Sequence, residues 1–372
     1  MGKNKKYAYC VVVLCFMLSI LSGCKKKTTN TSDFDPIVTP TSTITPTPTP
    51  SLIPTVPVEE SHEGMSRSKL TGEWIPEEVA KARPYAIMLN NIVYANPQSG
   101  IGEASIVYEA LVEGGITRLM GIFEGINPES EAAKRIGSVR SARHYFVSFA
   151  DEYDAVFVHY GQTSYATKKI KKLGIDTISG MSGVGVNSFY RDKSIKAPHN
   201  AFTDLEGLSK AMKDGKYRTT YREDFNGHYQ FYEEDTSIDG ELASNIKLKY
   251  SSQITPVFQY KEETKEYLRY QYDGEHIDYN TKEQLSFKNL IVWFVKEWDI
   301  DKNGYQTMDI EDSSGEGYYI TNGKLNKITW KKEEVTKFMR FYDESGNELT
   351  MNPGKTYIAV FPNNRVKDVV IQ

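Results

Sequence analysis

Cysteine is scarce in this sequence, and the positions of the few cysteines exclude several kinds of chemistry. Only three are present, and Cys10 and Cys15 lie in an apolar segment that we predict to be cleaved from the mature chain. The third, Cys24, would then stand alone. A single thiol cannot form an internal disulfide or a thiolate zinc site, and a lipidated thiol cannot act as a nucleophile.

Signatures of metal, nucleotide and serine-hydrolase sites are missing as well. None of the six histidines has the spacing of a metal site. No Gly-x-Ser-x-Gly elbow occurs, and the glycine-rich stretch at 180–188 (GMSGVGVNS) lacks the lysine of a phosphate-binding P-loop. We therefore expect neither a metal nor a cofactor.

A surplus of basic residues, which a nucleic-acid-binding protein would need, is also absent. The whole chain carries a net charge of −4. Residues 1–23 contain three lysines and no acidic residue, so their removal leaves 42 basic against 49 acidic residues, a net charge of −7. This acidic balance argues against nucleic acid as a partner.

The N-terminus has the three parts of a bacterial signal peptide. Lys3, Lys5 and Lys6 form a basic start, and an apolar run follows at 7–21, shorter than the ~20 residues of a transmembrane helix. The exit, Leu-Ser-Gly-Cys ending at Cys24, resembles a lipobox. We predict a cleaved signal peptide, a diacylglyceryl group on Cys24, and anchoring at the outer face of the cell membrane. An uncleaved membrane anchor with a chance cysteine is the alternative.

Residues 24–68 are predicted to form a tether between the lipid and the folded part. Lysines at 25–27 can rest on anionic headgroups, and a Thr/Pro tract with repeats at 45–50 follows. Repeated proline removes backbone donors and blocks helix formation. At roughly 3.1 Å per residue, an extended spacer of this kind reaches up to ~100 Å, far enough to enter a cell wall. The other interpretation is a plain solvated linker without a length requirement.

The rest of the chain is long enough for two domains. We predict an N-terminal α/β or α+β domain at 69–235 and a mainly antiparallel β domain at 250–372, each with its own core. The stretch between them is polar and acidic and contains two turn pairs, Asn-Gly at 226–227 and Asp-Gly at 239–240.

Hydrophobic periodicity places the elements within each domain. In the first domain the pattern predicts buried strands at 85–89, 106–112 and 154–159, and helices at 139–153, 163–173 and 204–212. In the second it predicts strands at 290–295 and 357–361, hairpin turns at 273–274, 303–304 and 322–323, and one short helix at 333–338.

A first group of charged residues flanks the glycine pair at 114–115. If this pair is a two-residue hairpin turn, Leu111 lies opposite Arg118, and alternation places Glu109 and Glu113 on the face that Arg118 shares. Such a constellation could bind a ligand or hold Arg118 for one. It could equally be an internal ion-pair cluster that fixes the sheet register, because buried charges are normally paired.

A second group occurs where the pattern of the helix at 139–153 begins. Ser138 is a suitable N-cap, and Arg140 and Arg143, three residues apart, would share a face of the first turns. Free backbone N–H groups and two guanidinium groups suit a carboxylate or a phosphate. The alternative is that both arginines pair with acidic neighbours such as Glu109 or Glu113.

A third group of candidate ligand-binding residues comprises two histidines and their neighbours. His159 ends a predicted strand, where α/β sheets usually place ligand-contacting residues. Further along, Arg191 precedes the pair His199-Asn200, which a proline could present to a cleft. For each histidine, a hydrogen-bonded structural role is the alternative.

Several of these motifs resemble those of the YerB-type lipoprotein family. They are RPYAIMLNN at 83–91, PQSG at 97–100, IVYE at 106–109, VEGGITR at 112–118, GSVRSAR at 137–143 and APHN at 197–200, joined in the second domain by TNGK at 321–324, ITW at 328–330 and NPGKTYI at 352–358. The resemblance covers nearly everything from Lys69 to the C-terminus. It implies a lipoprotein with two adjacent domains of unknown function, and it implies no reaction.

These observations favour a wall-facing binding or scaffolding lipoprotein. The expected ligand is an anionic envelope component, with peptidoglycan stem-peptide carboxylates and teichoic-type phosphates as candidates. One alternative is a wall-modifying enzyme that uses His159 or His199 as acid or base beside the arginines. Another is a partner of envelope assembly proteins that docks through the aromatic-rich β domain.

Overall fold

Strands outnumber helices in the computed structural model, which describes residues 62–334 and 338–372. The predicted signal peptide, Cys24 and most of the tether therefore lie outside the described residues, as does the middle of the predicted helix at 333–338. No helix in the described ranges is long and apolar enough to cross a membrane. The helices are α1 (Glu77–Lys81), α2 (Glu131–Lys134), α3 (His144–Asp151), α4 (Ser164–Leu173) and α5 (Leu205–Gly215).

The N-terminal half combines a mixed sheet with these helices, as predicted. Its strands are β1 (Met65–Arg67), β2 (Trp74–Pro76), β3 (Tyr85–Asn90), β4 (Ile106–Leu111), β5 (Thr117–Phe123), β6 (Ile136–Gly137), β7 (Val156–His159), β8 (Thr177–Ser179), β9 (Phe189–Arg191) and β10 (Ala201–Thr203). The predicted strands at 85–89, 106–112 and 154–159 are confirmed as β3, β4 and β7.

Helices α4 and α5 confirm two of the predicted helices, and capping explains where each begins. Thr163 and Asp204 are the N-caps, so each helix starts one residue after its predicted first residue. The Thr163 hydroxyl accepts the N–H of Ala166 at 3.1 Å, and the Asp204 carboxylate accepts the N–H of Gly207 at 2.7 Å. Each cap satisfies a backbone donor that the first turn leaves free.

The predicted helix at 139–153 is wrong in its first third. Helix α3 begins only at His144, and the preceding residues are extended. Their backbone groups bond to other strands instead of to each other: the Arg140 N–H donates to Met88 at 2.9 Å, and the Ala142 N–H donates to Gly161 at 2.9 Å. The apolar residues at helical spacing are therefore buried by an extended segment.

The C-terminal half is mainly antiparallel β, as predicted. Its strands are β11 (Gln230–Phe231), β12 (Glu241–Leu242), β13 (Asn245–Leu248), β14 (Val257–Lys261), β15 (Glu266–Gln271), β16 (Gly274–Glu275), β17 (Ser286–Phe287), β18 (Asn289–Val295), β19 (Glu297–Asp299), β20 (Gln306–Met308), β21 (Ser313–Thr321), β22 (Lys324–Lys332), β23 (Arg340–Tyr342), β24 (Thr350–Met351), β25 (Thr356–Pro362) and β26 (Val369–Ile371).

One eleven-stranded sheet runs through both halves. Its order is β12-β22-β21-β18-β25-β4-β5-β3-β7-β8, with β23 paired to β22. The junction between the halves is the pair β25–β4, which is parallel over Thr356–Ala359 and Ile106–Glu109. A separate six-stranded sheet, β16-β15-β14-β13-β26 with β17 paired to β15, belongs to the C-terminal half.

Both hydrophobic cores take residues from both halves, which corrects the expectation that each domain has its own core. Alternate residues of β3 enter the two cores, because successive side chains of a strand point to opposite faces. Leu89 packs in the core that contains Tyr267 of the six-stranded sheet, and Met88 packs in the core that contains Trp293 of β18. The first core also includes residues of α5, and the second includes residues of α3.

Six strands of the large sheet point the same way, which brings their carboxyl ends to one edge. β18, β25 and β4 are mutually parallel, as are β3, β7 and β8, and β5 is antiparallel to both β4 and β3. Open α/β sheets usually bind their ligands beyond this edge. The candidate residues below lie around it.

Candidate functional site

The β4–β5 hairpin has a register one residue away from the predicted one. Arg118 pairs with Ala110, and Leu111 pairs with Thr117. Both glycines of the turn have positive φ, 75° at Gly114 and 71° at Gly115, within a connection longer than two residues. A one-residue shift moves a side chain to the other face of a sheet. The predicted grouping of Glu109 with Arg118 is therefore wrong.

Glu109 instead lies in an interior network that joins the two halves. One carboxylate oxygen accepts hydrogen bonds from Asn91 Nδ2 at 2.8 Å and Thr117 Oγ1 at 2.5 Å. The other lies 3.1 Å from Arg269 Nη2 and accepts the hydroxyl of Tyr357. The side chains of Glu109 and Arg269 are both 0% exposed. Glu109 thus follows the structural alternative, an internal ion pair.

This buried network reaches the sheet edge through two further residues. Arg269 contacts His276 Nδ1, and His276 Nε2 contacts the amide oxygen of Gln98. Gln98 Nε2 in turn donates to the backbone oxygen of Asn90 at 2.7 Å, at the end of β3. Burial, followed by the charge of Arg269, lowers the pKa of His276 well below its usual value.

The sequence analysis missed Arg269 and His276, and the sequence of β15 (EYLRYQ) explains the first omission. Tyr267 and Leu268 are adjacent, so alternation does not identify one face of the strand as the inward one. Only the structure shows that Arg269 lies on the buried side with Tyr267 and Gln271.

Arg143 and Glu113 form a bidentate ion pair at the edge of the sheet. Arg143 Nε and Nη2 each donate to one oxygen of Glu113 at 2.6 Å. Although burial alone raises the pKa of Glu113, the hydrogen bonds and charge of Arg143 lower it overall. Arg143 occupies the N-cap position of α3 and does not lie within the helix. For Arg143, the pairing alternative therefore holds.

Arg118 is different, because it is buried and has no carboxylate partner. Only 6% of the residue is exposed. Its Nη1 donates to the backbone oxygen of Ser141, and no carboxylate among the described residues lies within 4.0 Å. Burial and then the neighbouring guanidinium of Arg143 lower the pKa of Arg118 to about 9, so the group is still charged at neutral pH.

Arg140 also has no carboxylate partner in the described part of the chain. It is half-buried, and its Nη1 donates to the backbone oxygen of Pro198 at 3.0 Å. Burial, followed by the charges of Arg143 and Arg191, lowers the pKa of Arg140.

Arg191 is the third arginine without a described carboxylate within salt-bridge distance. Its Nη1 donates to Asn200 Oδ1 at 2.8 Å, and its guanidinium lies 4.7 Å from the ring centroid of Tyr160. The adjacent carboxylate of Asp192 pairs with Arg135 at 2.9 Å. Asn200 is buried and ties this loop by donating to the backbone oxygen of Asp192 at 2.9 Å.

Ser138 and His199 meet through Asn90. Asn90 Nδ2 lies 3.0 Å from His199 Nδ1 and 3.4 Å from Ser138 Oγ. Because the amide donates, Nδ1 of His199 accepts and Nε2 carries the proton of the neutral ring. Burial and then the charge of Arg140 lower the pKa of His199. Ser138 is not an N-cap, since α3 begins six residues later.

His159 ends β7 as predicted, but it is enclosed. Its exposure is 0%, and its ring nitrogens lie 2.9 Å from the Gly161 oxygen and 2.8 Å from Thr177 Oγ1. Burial lowers its pKa to about 4. The structural alternative therefore holds for His159.

We call the side chains of Arg118, Arg140, Arg143, Arg191 and Glu113 the arginine cluster. Each arginine is electrostatically coupled to at least one other. Four guanidinium groups face one carboxylate, so this part of a net acidic protein carries a formal surplus of three positive charges.

The hairpin β19–β20 of the C-terminal half borders the cluster. The ring of Tyr305 lies 5.8 Å from the Arg143 guanidinium, and Thr307 Oγ1 lies 2.7 Å from His144 Nε2. The same hairpin begins with Glu297, for which no basic partner within 4 Å occurs among the described residues. Burial raises the pKa of Glu297 to about 7. Sequence analysis did not single out this residue.

Cavity volume alone would point to sites outside the arginine cluster. A cavity of about 350 Å³ is lined by Arg67, Phe231 and Glu233, and one of about 530 Å³ by Tyr318 and Lys327, among other residues. Neither lining contains a member of the arginine cluster, and Arg67 is paired with Glu233 at 2.9 Å. Charge therefore identifies the candidate site better than volume. In the described ranges, no group of three or more His, Cys, Asp or Glu side chains could hold a metal.

Comparison with known proteins confirms the resemblance seen in the motifs. Residues 70–218 match the family described as "Protein of unknown function (DUF3048) N-terminal domain", and residues 246–358 match its C-terminal domain. A Bacillus subtilis (strain 168) protein described as "Putative lipoprotein YerB" is 31% identical over 300 residues, which is 80% of this chain and 86% of the relative. The chain belongs to the YerB family.

A YerB family fold is also found among solved structures. The crystal structure of the YerB protein from Bacillus subtilis has a TM-score of 0.72 and 27% identity, and the match covers 82% of this chain and 99% of that one. The two family matches lie in the two halves of the chain, and the arginine cluster lies within the N-terminal match. The boundaries predicted at 69–235 and 250–372 stay a prediction.

Proposed function

We propose that this YerB family member is a lipid-anchored binding module that holds an anionic envelope ligand in the arginine cluster. The observation that carries the proposal is that Arg118, Arg140 and Arg191 lack a carboxylate partner among the described residues. Arg118 is buried and Arg140 is half-buried, and charges in such places are normally paired, because desolvation is costly. Arg191 is exposed and adds its charge on the solvent side of the cluster. A cluster that keeps its positive charges unpaired is suited to a partner that supplies the negative charge.

The structural alternative accounts for only part of the charged residues. Glu109 and Arg143 have partners inside the protein, at 3.1 Å and 2.6 Å. The remaining guanidinium groups donate to backbone or amide oxygens, which satisfy a hydrogen bond but leave the charge uncompensated. Their place at the carboxyl edge of the sheet supports a ligand site.

We favour binding over catalysis at this site. Of the two histidines considered as acid or base, His159 is enclosed by its hydrogen-bond partners. His199 is half-buried and beside Arg140, whose charge disfavours a second proton on the ring. The arginines could stabilise an oxyanion, but the enzyme alternative also requires an accessible base beside them.

The N-terminal sequence and the lipoprotein relative support a location at the outer face of the membrane. We propose that Cys24 carries the diacylglyceryl group and that the tether places the folded part in the wall, where peptidoglycan and teichoic-type polymers are the anionic candidates. Replacing Cys24 with Ser should release the protein from the membrane fraction or leave an unprocessed precursor. Mature Cys24→Ser protein that still requires detergent would contradict this anchor.

The anion site can be tested with sulfate as the probe and chloride as the reference at equal ionic strength. Sulfate should raise the melting temperature, because a ligand present at a hundred times its Kd stabilises the native state by about 2.7 kcal/mol. Sulfate also raises melting temperatures in general, because it is excluded from protein surfaces, so Arg140→Gln should reduce the difference between the two salts to this general effect. Arg222→Gln is the matched control, since that exposed arginine pairs with Asp224 at 3.2 Å outside the cluster. A difference between the salts that Arg140→Gln leaves as large as Arg222→Gln does would overturn the proposal.

A further inference from the structure

We propose that the arginine cluster selects ligands that bring at least two negative charges in phosphoryl form, either a phosphomonoester or two neighbouring phosphodiesters, over a single carboxylate. This inference rests on the proposed function and names the chemistry of its ligand. It follows from the charge balance and the donor count of the cluster.

The charge balance comes first. Glu113 binds Arg143 with both of its oxygens, and Asp192 is held by Arg135 at 2.9 Å. The carboxylates of Glu113 and Asp192 are therefore already paired within the protein. Arg118, Arg140 and Arg191 therefore leave three positive charges to be compensated, and one monocarboxylate would leave two of them.

The donor count leads to the same class of ligand. Each guanidinium has five N–H donors, and within the described ranges Arg118, Arg140 and Arg191 each donate a single hydrogen bond to the protein, always through Nη1. The donors that remain exceed the roughly four acceptor positions of one carboxylate. A phosphomonoester has three strong acceptor oxygens and close to two charges, so it can engage several guanidinium groups at once.

The surroundings of the cluster fit a compact anion better than a planar aromatic ligand. The guanidinium of Arg191 lies over the ring of Tyr160, 4.7 Å from its centroid. Guanidinium groups that contact an aromatic face keep their in-plane N–H groups for oxyanions. Arg118 is buried, so the group that meets it must approach closely and lose its own water. Desolvated charge pairs of this kind contribute more than exposed ones.

Calorimetry with four probes tests the selectivity. Glycerol 3-phosphate supplies one monoester and poly(glycerol phosphate) supplies neighbouring diesters. Glycerophosphoglycerol, with one diester, and D-alanyl-D-alanine, N-acetylated so that no ammonium group offsets its one carboxylate, supply a single anionic charge each. The first two should bind at least about tenfold more tightly than the last two, since an added close charge pair contributes about 1.5 kcal/mol or more. Arg140→Gln should remove this preference, and Arg222→Gln should keep it.

A pH series separates the charge of the ligand from the charge of the protein. Binding of glycerol 3-phosphate should weaken as pH falls through the second pKa of the monoester, about 6, whereas sulfate binding should not weaken. Protonation of His199 would act in the opposite direction and strengthen both.

The outcomes distinguish the two proposals. Tight sulfate and glycerol 3-phosphate binding with weak D-alanyl-D-alanine binding supports both. Equal affinities for all the probes would overturn the selectivity and leave the anion site in place. No binding of any probe, sulfate included, would overturn the anion site itself.

Discussion

The arginine cluster and the buried network around Glu109 contain the same kinds of side chain in opposite arrangements. In the network, each charge meets an opposite charge or a hydrogen-bond donor, and Glu109 and Arg269 are both inaccessible to solvent. In the cluster, four guanidinium groups share one carboxylate, and Arg140 and Arg191 are partly accessible. The comparison distinguishes paired charges, which stabilise the fold, from unpaired charges, which are available to a ligand.

The two regions also lie on opposite faces of the same hairpin. Glu109 points from β4 toward the six-stranded sheet, and Arg118 points from β5 toward the segment before α3. Loss of an unpaired charge of the cluster should have the opposite effect on stability from loss of a paired charge in either region.

Arg269→Met should produce the largest loss. It leaves the carboxylate of Glu109 buried without its charged partner, which costs about 3–5 kcal/mol of unfolding free energy. The double variant Glu109→Leu with Arg269→Met should recover much of this loss, because no charge is then stranded. Urea unfolding of the single and double variants measures both effects. A double variant as unstable as the single one would contradict the ion-pair account.

Arg143→Met should have an intermediate effect, because its pair with Glu113 lies between the buried and the exposed case. We expect a loss of about 1–2 kcal/mol near neutral pH. The pKa of Glu113 is lowered in the folded protein, so the pair stabilises above the unfolded-state pKa and loses this contribution as pH falls through the folded-state value. The difference in unfolding free energy between the wild type and the variant should therefore be clear at neutral pH and should disappear at acidic pH.

Arg118→Met should raise stability, in contrast to the two changes above. The lowered pKa of Arg118 means that its charge is disfavoured in the folded state, and a methionine of similar length removes that cost. In low-salt buffer without oxyanions the melting temperature should rise by about 2–4 °C. The additional stabilisation by sulfate over chloride should then be smaller in the variant than in the wild type. A clear drop in melting temperature would mean that Arg118 is structural.

Glu297→Gln should give the smallest effect, one that appears only at higher pH. Burial raises the pKa of Glu297 to about 7, so the folded state holds a proton that the unfolded state has released. As pH rises from about 4.5 to about 7, the wild type should lose more stability than the glutamine variant. Thermal melts should coincide at about pH 5 and differ by a few degrees at most above neutrality. If the wild type gained stability relative to the glutamine variant over this interval, the raised pKa of Glu297 would be refuted.

The local sequence pattern predicted some elements correctly because their signals are short-range. The buried run of β3 and the capped helices α4 and α5 are determined by residues close in sequence. The start of α3 is not, because the residues before it bond to Met88 and Gly161, which are distant in the chain. Periodicity cannot distinguish a helix from an extended segment that buries the same side chains.

The candidate site likewise combines residues that the local sequence identifies with contacts between residues far apart in the chain. The sequence named all four arginines of the cluster, and the structure brings them together. It misassigned Glu109, because the register of one hairpin decides which face the residue occupies, and a glycine pair allows more than one loop length. Its true partner, Arg269, is 160 residues away and carries no local mark that connects the two.

The position of β25 has a consequence for the order in which the protein can be completed. This strand lies between β18 and β4 in the middle of the large sheet, yet it follows both of them in the chain. A chain is synthesised from its N-terminus, so β4 and β18 keep open edges until β25 has been made. Open edges are where chains pair wrongly with one another. A product that stops before Thr356 would keep every arginine of the cluster and still lack the strand that joins the two parts of the large sheet, so the arrival of β25 acts as the checkpoint for the whole sheet.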